Sequence, residues 1–251
     1  MPTRPFGSSA SWDGFVTAEF PFRSRSGSMP KGRSLAHPAL VMTRLTGRPL
    51  VDPRHLPAWV GQLGRSLAAL HAVPRERFAG LPLDAGPPVA SNIRWEGLDA
   101  LMAGSPTSSG AVVAAAQVRP PGGRLAEPCL IHWDFWPGNT LWVRGRLTGI
   151  VDWSTARIGQ PEYDVGYCRL DISLSVGAEV AGEFLVAYRG ASGRSLENQW
   201  LWDLQAASRP LPDPSVWIPA WEGLGRRDLT PGLIRERLRA FIESASRQAG
   251  S

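Results

Sequence analysis

Residues 128–153, Pro-Cys-Leu-Ile-His-Trp-Asp-Phe-Trp-Pro-Gly-Asn-Thr-Leu-Trp-Val-Arg-Gly-Arg-Leu-Thr-Gly-Ile-Val-Asp-Trp, constrain the fold more than any other stretch of this 251-residue chain. Cys129-Leu130-Ile131 is a short apolar run that reads as a strand, and the loop after it presents His132, Asp134 and Asn139. Thr140–Val143 and Leu147–Val151 flank Arg144-Gly145-Arg146 and read as the two arms of a β-hairpin. Closing that hairpin carries Asp152 back beside the loop. Taken singly, Asp134, Asn139 and Asp152 could be ordinary turn residues. The strand before them, the Pro137-Gly138-Asn139 turn and a hairpin of fitting length together argue for a shared site.

The rest of the chain from residue 51 onward is expected to be mostly helical. Leu56, Trp59, Val60, Leu63, Leu67 and Leu70 recur at spacings of three and four, which predicts an amphipathic helix opening at Asp52-Pro53 and ending near His71, before Pro74. A histidine in a last helical turn ordinarily caps carbonyls or suits the helix dipole, and His71 is read that way. Further helical segments are expected at Leu98–Met102, Ala111–Val118, Glu179–Tyr188 and Leu196–Ala207. The last helix opens with Thr230 and Pro231 and carries Ile234, Leu238, Phe241 and Ile242 on one face. Upstream, Ser, Arg, Gly and Pro dominate residues 1–37, where only Gly14–Phe22 looks strand-like. Pro38–Met42 is a short apolar run suited to a buried strand or connector, followed by a turn at Thr46-Gly47-Arg48-Pro49.

A constellation of this kind suits phosphoryl transfer, where the transferred group carries dispersed charge and the protein's task is positioning and electrostatic stabilisation. Asp134 would orient the attacking hydroxyl and accept its proton. Hard magnesium ions prefer oxygen ligands, and Asp152 with the amide oxygen of Asn139 would supply them. The block also resembles the catalytic and metal loops of the aminoglycoside phosphotransferases and related kinase-like enzymes. His132-x-Asp134-x-x-x-x-Asn139 matches the shared H-x-D-x-x-x-x-N loop, and Ile150-Val151-Asp152-Trp153 matches the metal-binding segment. Trp133 departs from the glycine common between that histidine and aspartate.

This resemblance covers roughly residues 38–210. It implies an α+β, protein-kinase-like fold, mainly the helical C-terminal lobe with a small catalytic hairpin and an incomplete N-terminal β lobe. Residues 1–37 would be a remnant of that lobe or a poorly ordered segment, 38–50 the interlobe connector and 51–251 the catalytic lobe. The implied catalytic residues are Asp134 and His132. Asn139 and Asp152 would bind cofactor and metal, and Met42, within the connector that receives adenine, would touch the nucleotide. Asp164 would brace the catalytic loop from the following helix. ATP and Mg2+ are the implied cofactors. The acceptor would be a hydroxylated small molecule, an aminoglycoside-like antibiotic or a metabolite.

Composition narrows the alternatives. Hydrophobic residues at 43% can bury a core, and no apolar run approaches the roughly 18 residues of a membrane span. A soluble, cytoplasmic protein without membrane partners is expected. The pI of about 10.0 invites a nucleic-acid reading. However, residues 1–38 hold five bases against two acids, net +3, and the remainder holds 22 against 20, net +2, so no basic stripe marks the folded bulk and no nucleic-acid partner is expected. Cys129 and Cys168 lack zinc-like spacing and are read as buried thiols. Glu179, Glu183, Glu197, Asp203, Asp213 and Glu222 could serve a cationic acceptor, but they are read first as the scattered surface acids that helices of any soluble protein carry.

A complete kinase-like small lobe needs on the order of 60 residues for its strands, helix and links, whereas 37 precede Pro38. Lys31 is the only lysine among 27 basic residues, and it lies too close to Pro38 to be the phosphate-anchoring lysine of such a lobe. The shortfall is what a truncated homologue would give, or a gene whose start is mis-assigned or out of frame. The corresponding alternative to an active kinase is a catalytically impaired remnant lacking the ATP-anchoring lobe.

Overall fold

The computed structural model describes residues 44–86, 93–103 and 126–249. Gly14–Phe22, the Pro38–Met42 run with Met42 itself, and Ala111–Val118 lie outside the described residues. The architecture is α+β and mostly helical, as expected. Helix α1 (Leu56–His71) buries Trp59, Val60, Leu63, Leu67 and Leu70 on one face. Each such aliphatic side chain contributes on the order of 2 kcal/mol by leaving water. The helix begins later than Asp52-Pro53 suggested. His55 is its first flanking residue, and Pro57 occupies the first turn, where a missing N–H costs nothing.

Helix α2 (Trp95–Met102) is followed by β1 (Cys129–Ile131), β2 (Thr140–Val143), β3 (Arg146–Ile150) and β4 (Arg157–Gly159). Strands β2 and β3 form the expected hairpin, with Val143 opposite Arg146 and Thr140 opposite Ile150. Arg144 and Gly145 turn it with φ of 50° and 75°, the two left-handed residues that match the twist of a tight hairpin. Strand β1 pairs antiparallel with β4, Cys129 opposite Gly159 and Ile131 opposite Arg157. Arg48 and Trp142 exchange backbone hydrogen bonds of 3.2 and 2.9 Å, which fastens the stretch before α1 to the hairpin.

The remaining helices are α3 (Pro161–Ser175), α4 (Ala178–Ser192), α5 (Gln199–Ser208), α6 (Ile218–Gly223) and α7 (Pro231–Ala249). Thr230 Oγ1 accepts a hydrogen bond from the Leu233 N–H at 3.3 Å, so the last helix is capped as its sequence predicts. Every residue of α3 is buried, and the helix runs between two cores. One core joins α2, α3, α5, α6 and α7 through Leu101, Leu170, Leu204, Trp221 and Leu238. The other joins α1, α3, α4 and the hairpin through Leu63, Leu67, Cys168, Phe184 and Trp142. Cys129 and Cys168 are free, buried thiols. Among the described residues, no helix is long and apolar enough to cross a membrane.

Candidate active site

The loop between β1 and β2 is held from below by α3. The Asp164 carboxylate accepts the backbone N–H of His132 at 2.7 Å and that of Trp133 at 2.8 Å. It has the bracing position expected of it. A third donor is His71, whose Nε2 lies 3.2 Å from Asp164 Oδ2 while Nδ1 lies 2.8 Å from the Tyr188 hydroxyl. His71 therefore does not cap helix carbonyls; its ring turns inward, 2% exposed, and joins α1 to α3 and α4. Burial lowers its pKa despite the neighbouring carboxylate. A neutral ring that donates from Nε2 to Asp164 and accepts at Nδ1 from Tyr188 satisfies both contacts.

His132 is completely buried, and its Nε2–H donates to the Val151 carbonyl at 2.8 Å. Its ring also packs against Phe135 and Trp153. The residue expected among the catalytic groups is thus placed to fix the loop against the Val151–Trp153 segment, and its ring is closed off from the surface. Trp133 takes φ +72°, a conformation that glycine adopts without penalty. Its indole stacks on Tyr163 with centroids 3.8 Å apart, and Arg157 lies 4.0 Å over its ring. These contacts offset the backbone strain that a glycine would avoid.

Asp134 follows. The Asn139 side chain donates from Nδ2 to Asp134 Oδ2 at 3.0 Å and to the Asp134 carbonyl at 2.9 Å. Both partners are acceptors, so the Asn139 amide nitrogen faces them and its oxygen faces away. Burial raises the pKa of Tyr167 on α3, and the nearby Asp134 charge adds to the shift. The Val151 N–H donates to the Asn139 carbonyl at 2.9 Å, which ties the residue preceding Asp152 to the loop. Asp152 takes a left-handed conformation, φ 62° and ψ 64°, and its Oδ1 accepts from Ser154 at 2.7 Å. The loop, the hairpin and the residue leading into Asp152 are thereby one hydrogen-bonded unit.

A model of the phosphotransferase enzyme family matches residues 23–229. The chain belongs to that family. Among curated proteins, homoserine kinase of Parvibaculum lavamentivorans is 29% identical over 157 residues, which cover 61% of this chain and 47% of that protein. The chain thus spans about half the length of the curated relative it matches. A candidate aminoglycoside phosphotransferase of Ralstonia eutropha superposes with a TM-score of 0.54 at 17% identity, covering 83% of this chain and 72% of the other. The macrolide 2'-phosphotransferase MphH of Brachybacterium faecium reaches a TM-score of 0.45 at 23% identity, over 74% and 59% of the two chains. The Ralstonia superposition shows the kinase-like phosphotransferase fold in this family member.

The donor set suits a hard divalent cation. The Asn139 amide oxygen is turned away from Asp134, and Asp152 keeps one carboxylate oxygen clear of Ser154. One amide oxygen and one carboxylate leave room for phosphate oxygens and water, the ligand mix magnesium prefers. Among the described residues, no cluster of three or more His, Cys, Asp or Glu could hold a metal on protein ligands alone.

Residues that the sequence pattern did not single out also lie close to this loop. Tyr163, Tyr167 and Asp171 recur every four residues on α3, beneath Asp134. Burial pushes the Asp171 carboxyl up to about 7, with the Asp134 charge adding to the shift. Trp221 Nε1 donates to Asp171 Oδ2 at 3.1 Å, and Oδ1 has no partner. Arg209 rests 4.1 Å over the Tyr167 ring. By contrast, Glu179, Glu183, Glu197, Asp213 and Glu222 are exposed surface acids, and Asp203 is buried against Arg169 in an ion pair.

Proposed function

We propose that this phosphotransferase family member transfers the γ-phosphoryl group of ATP to a hydroxyl of a small molecule. Asp134 is the catalytic base. Its carboxylate, oriented by Asn139 on a loop braced by Asp164, is the observation that carries the reading. Asn139 and Asp152 would hold magnesium, which would neutralise charge on the phosphate oxygens of the bound nucleotide. Met42, in the connector, would meet the adenine. The acceptor is a metabolite or antibiotic alcohol. The curated relative's name makes homoserine one compound to test, and aminoglycosides and macrolides belong in the same screen.

Magnesium-dependent ATP binding by the full chain tests the assignment. ATP with magnesium should raise the melting temperature, and Asp152→Asn should remove most of that increase while leaving the unliganded melting temperature close to wild type. A folded chain that binds no ATP with magnesium would be a catalytically impaired remnant of such a kinase.

A further inference from the structure

A cleft of about 360 Å³ is lined by Arg94, Trp133, Tyr163, Gln205, Ser208 and Arg209. Trp133 immediately precedes Asp134. Arg209 rests on the ring of Tyr167, which also lies within reach of the Asp134 charge. The cleft therefore adjoins the group assigned to take the acceptor's proton.

Its lining includes two guanidinium groups and no carboxylate. Arg209 Nη1 donates to the Tyr163 hydroxyl at 3.0 Å and to the Trp133 carbonyl at 3.5 Å. Arg94 Nη1 donates to the Leu211 carbonyl at 2.8 Å. These partners fix both guanidinium groups without neutralising them. Among the described residues, neither is in ion-pair contact with a carboxylate. Arg157, over the Trp133 ring, adds a third positive charge nearby. A guanidinium held in place with N–H groups to spare is a ready partner for an anion, and carboxylates match its planar fork. Gln205 is 3% exposed, and its side-chain oxygen has no hydrogen-bond partner. A buried acceptor of that kind calls for a donor, such as a ligand's hydroxyl or ammonium group. The volume sits at the lower end of the range for small-molecule sites.

We infer that this cleft is the acceptor subsite and that it takes a small hydroxylated carboxylate. Arg209 and Arg94 hold the ligand's carboxylate, and Gln205 accepts a hydrogen bond from one of its hydroxyl or amino groups. The inference deepens the phosphotransferase reading and rests on it. It also reverses the charge expected of a cationic acceptor, because none of the acids considered for that role lines the cleft.

Calorimetry on the full chain tests it with glycerate, serine and homoserine. Each is paired with its decarboxylated counterpart, ethylene glycol, ethanolamine and 3-aminopropanol, and kanamycin serves as the polycationic control. At least one hydroxy acid should bind about tenfold or more tightly than its counterpart and than kanamycin. Charge-assisted hydrogen bonds of ordinary strength predict that Arg209→Gln weakens that binding about 10- to 100-fold. Arg209→Lys should retain part of it. Arg94→Gln, at an exposed position, should weaken it about tenfold without lowering the melting temperature. If no hydroxy acid is preferred over its counterpart, or if binding survives both glutamine substitutions, the inference is overturned. ATP binding by the same protein separates the two claims. ATP binding with phosphate passed only to neutral or cationic acceptors would overturn the cleft assignment and leave the phosphotransferase reading intact. Arginine-dependent binding of a hydroxy acid without ATP binding would support the cleft's preference and remove that reading.

Discussion

Asp164 holds two backbone N–H groups of the catalytic loop and the ring of His71 on one carboxylate. An asparagine would turn an amide N–H₂ toward one of those donors, leaving buried groups unsatisfied. Asp164→Asn should therefore cost about 2–3 kcal/mol in urea unfolding. An unchanged midpoint would mean that the loop is held by other contacts. Trp133 poses the reverse balance, since its left-handed backbone is strained while its ring is stacked on both faces. Trp133→Gly relieves about 1 kcal/mol or more of strain but deletes the stack, and a net loss of about 1–2 kcal/mol is expected. A more stable variant would show that strain outweighs stacking. At this scale the motif residues were legible, because His132, Asp134, Asn139 and Asp152 lie within 21 positions of one another. His71 was not. Its partners Asp164 and Tyr188 lie 93 and 117 residues away, and helix-end statistics describe only its local setting.

At the level of elements, α1 and α4 meet where Gly64 leaves no side chain between them. A Cβ there would sit 2.8 Å from the Tyr188 nitrogen and 2.9 Å from the Ala187 Cβ. Gly64→Ala should thus destabilise by about 1–3 kcal/mol through overpacking, although alanine is the better helix former. Equal or greater stability would show that the two helices can part freely. The helix carrying Gly64 was plain from its apolar spacing. Helix α3 was not, because it is buried on every side and mixes Glu162, Asp164, Arg169, Asp171 and Ser173 with its apolar residues, so no single face stands out. Asp171 gives this helix a signature in pH. Its carboxyl is raised in the fold to about 7, so the folded state holds a proton that the unfolded chain releases near pH 4. That contribution is complete below about pH 4 and is lost as pH rises toward 7. The stability of Asp171→Asn relative to wild type should therefore improve between pH 5 and pH 7.5. A difference that stays constant across that range would contradict a raised Asp171.

For the whole molecule, two cores share α3 and hold the loop–hairpin unit between α1 and the helices that follow. The kinase-like α+β class was legible from one local block, since strand, loop and hairpin are nearly contiguous. The Arg94, Gln205 and Arg209 cleft was not, because its residues come from separate segments that only the packing of α2, α3 and α5 brings together. The account rests on Asp134 acting as a base within this assembly. The most direct measurement is transfer of the ATP γ-phosphoryl group, to acceptor or to water, by wild type and by Asp134→Asn at matched melting temperature and ATP affinity. The account predicts a loss of about 10²- to 10⁴-fold in the variant. Equal rates in a folded variant that still binds ATP would contradict it.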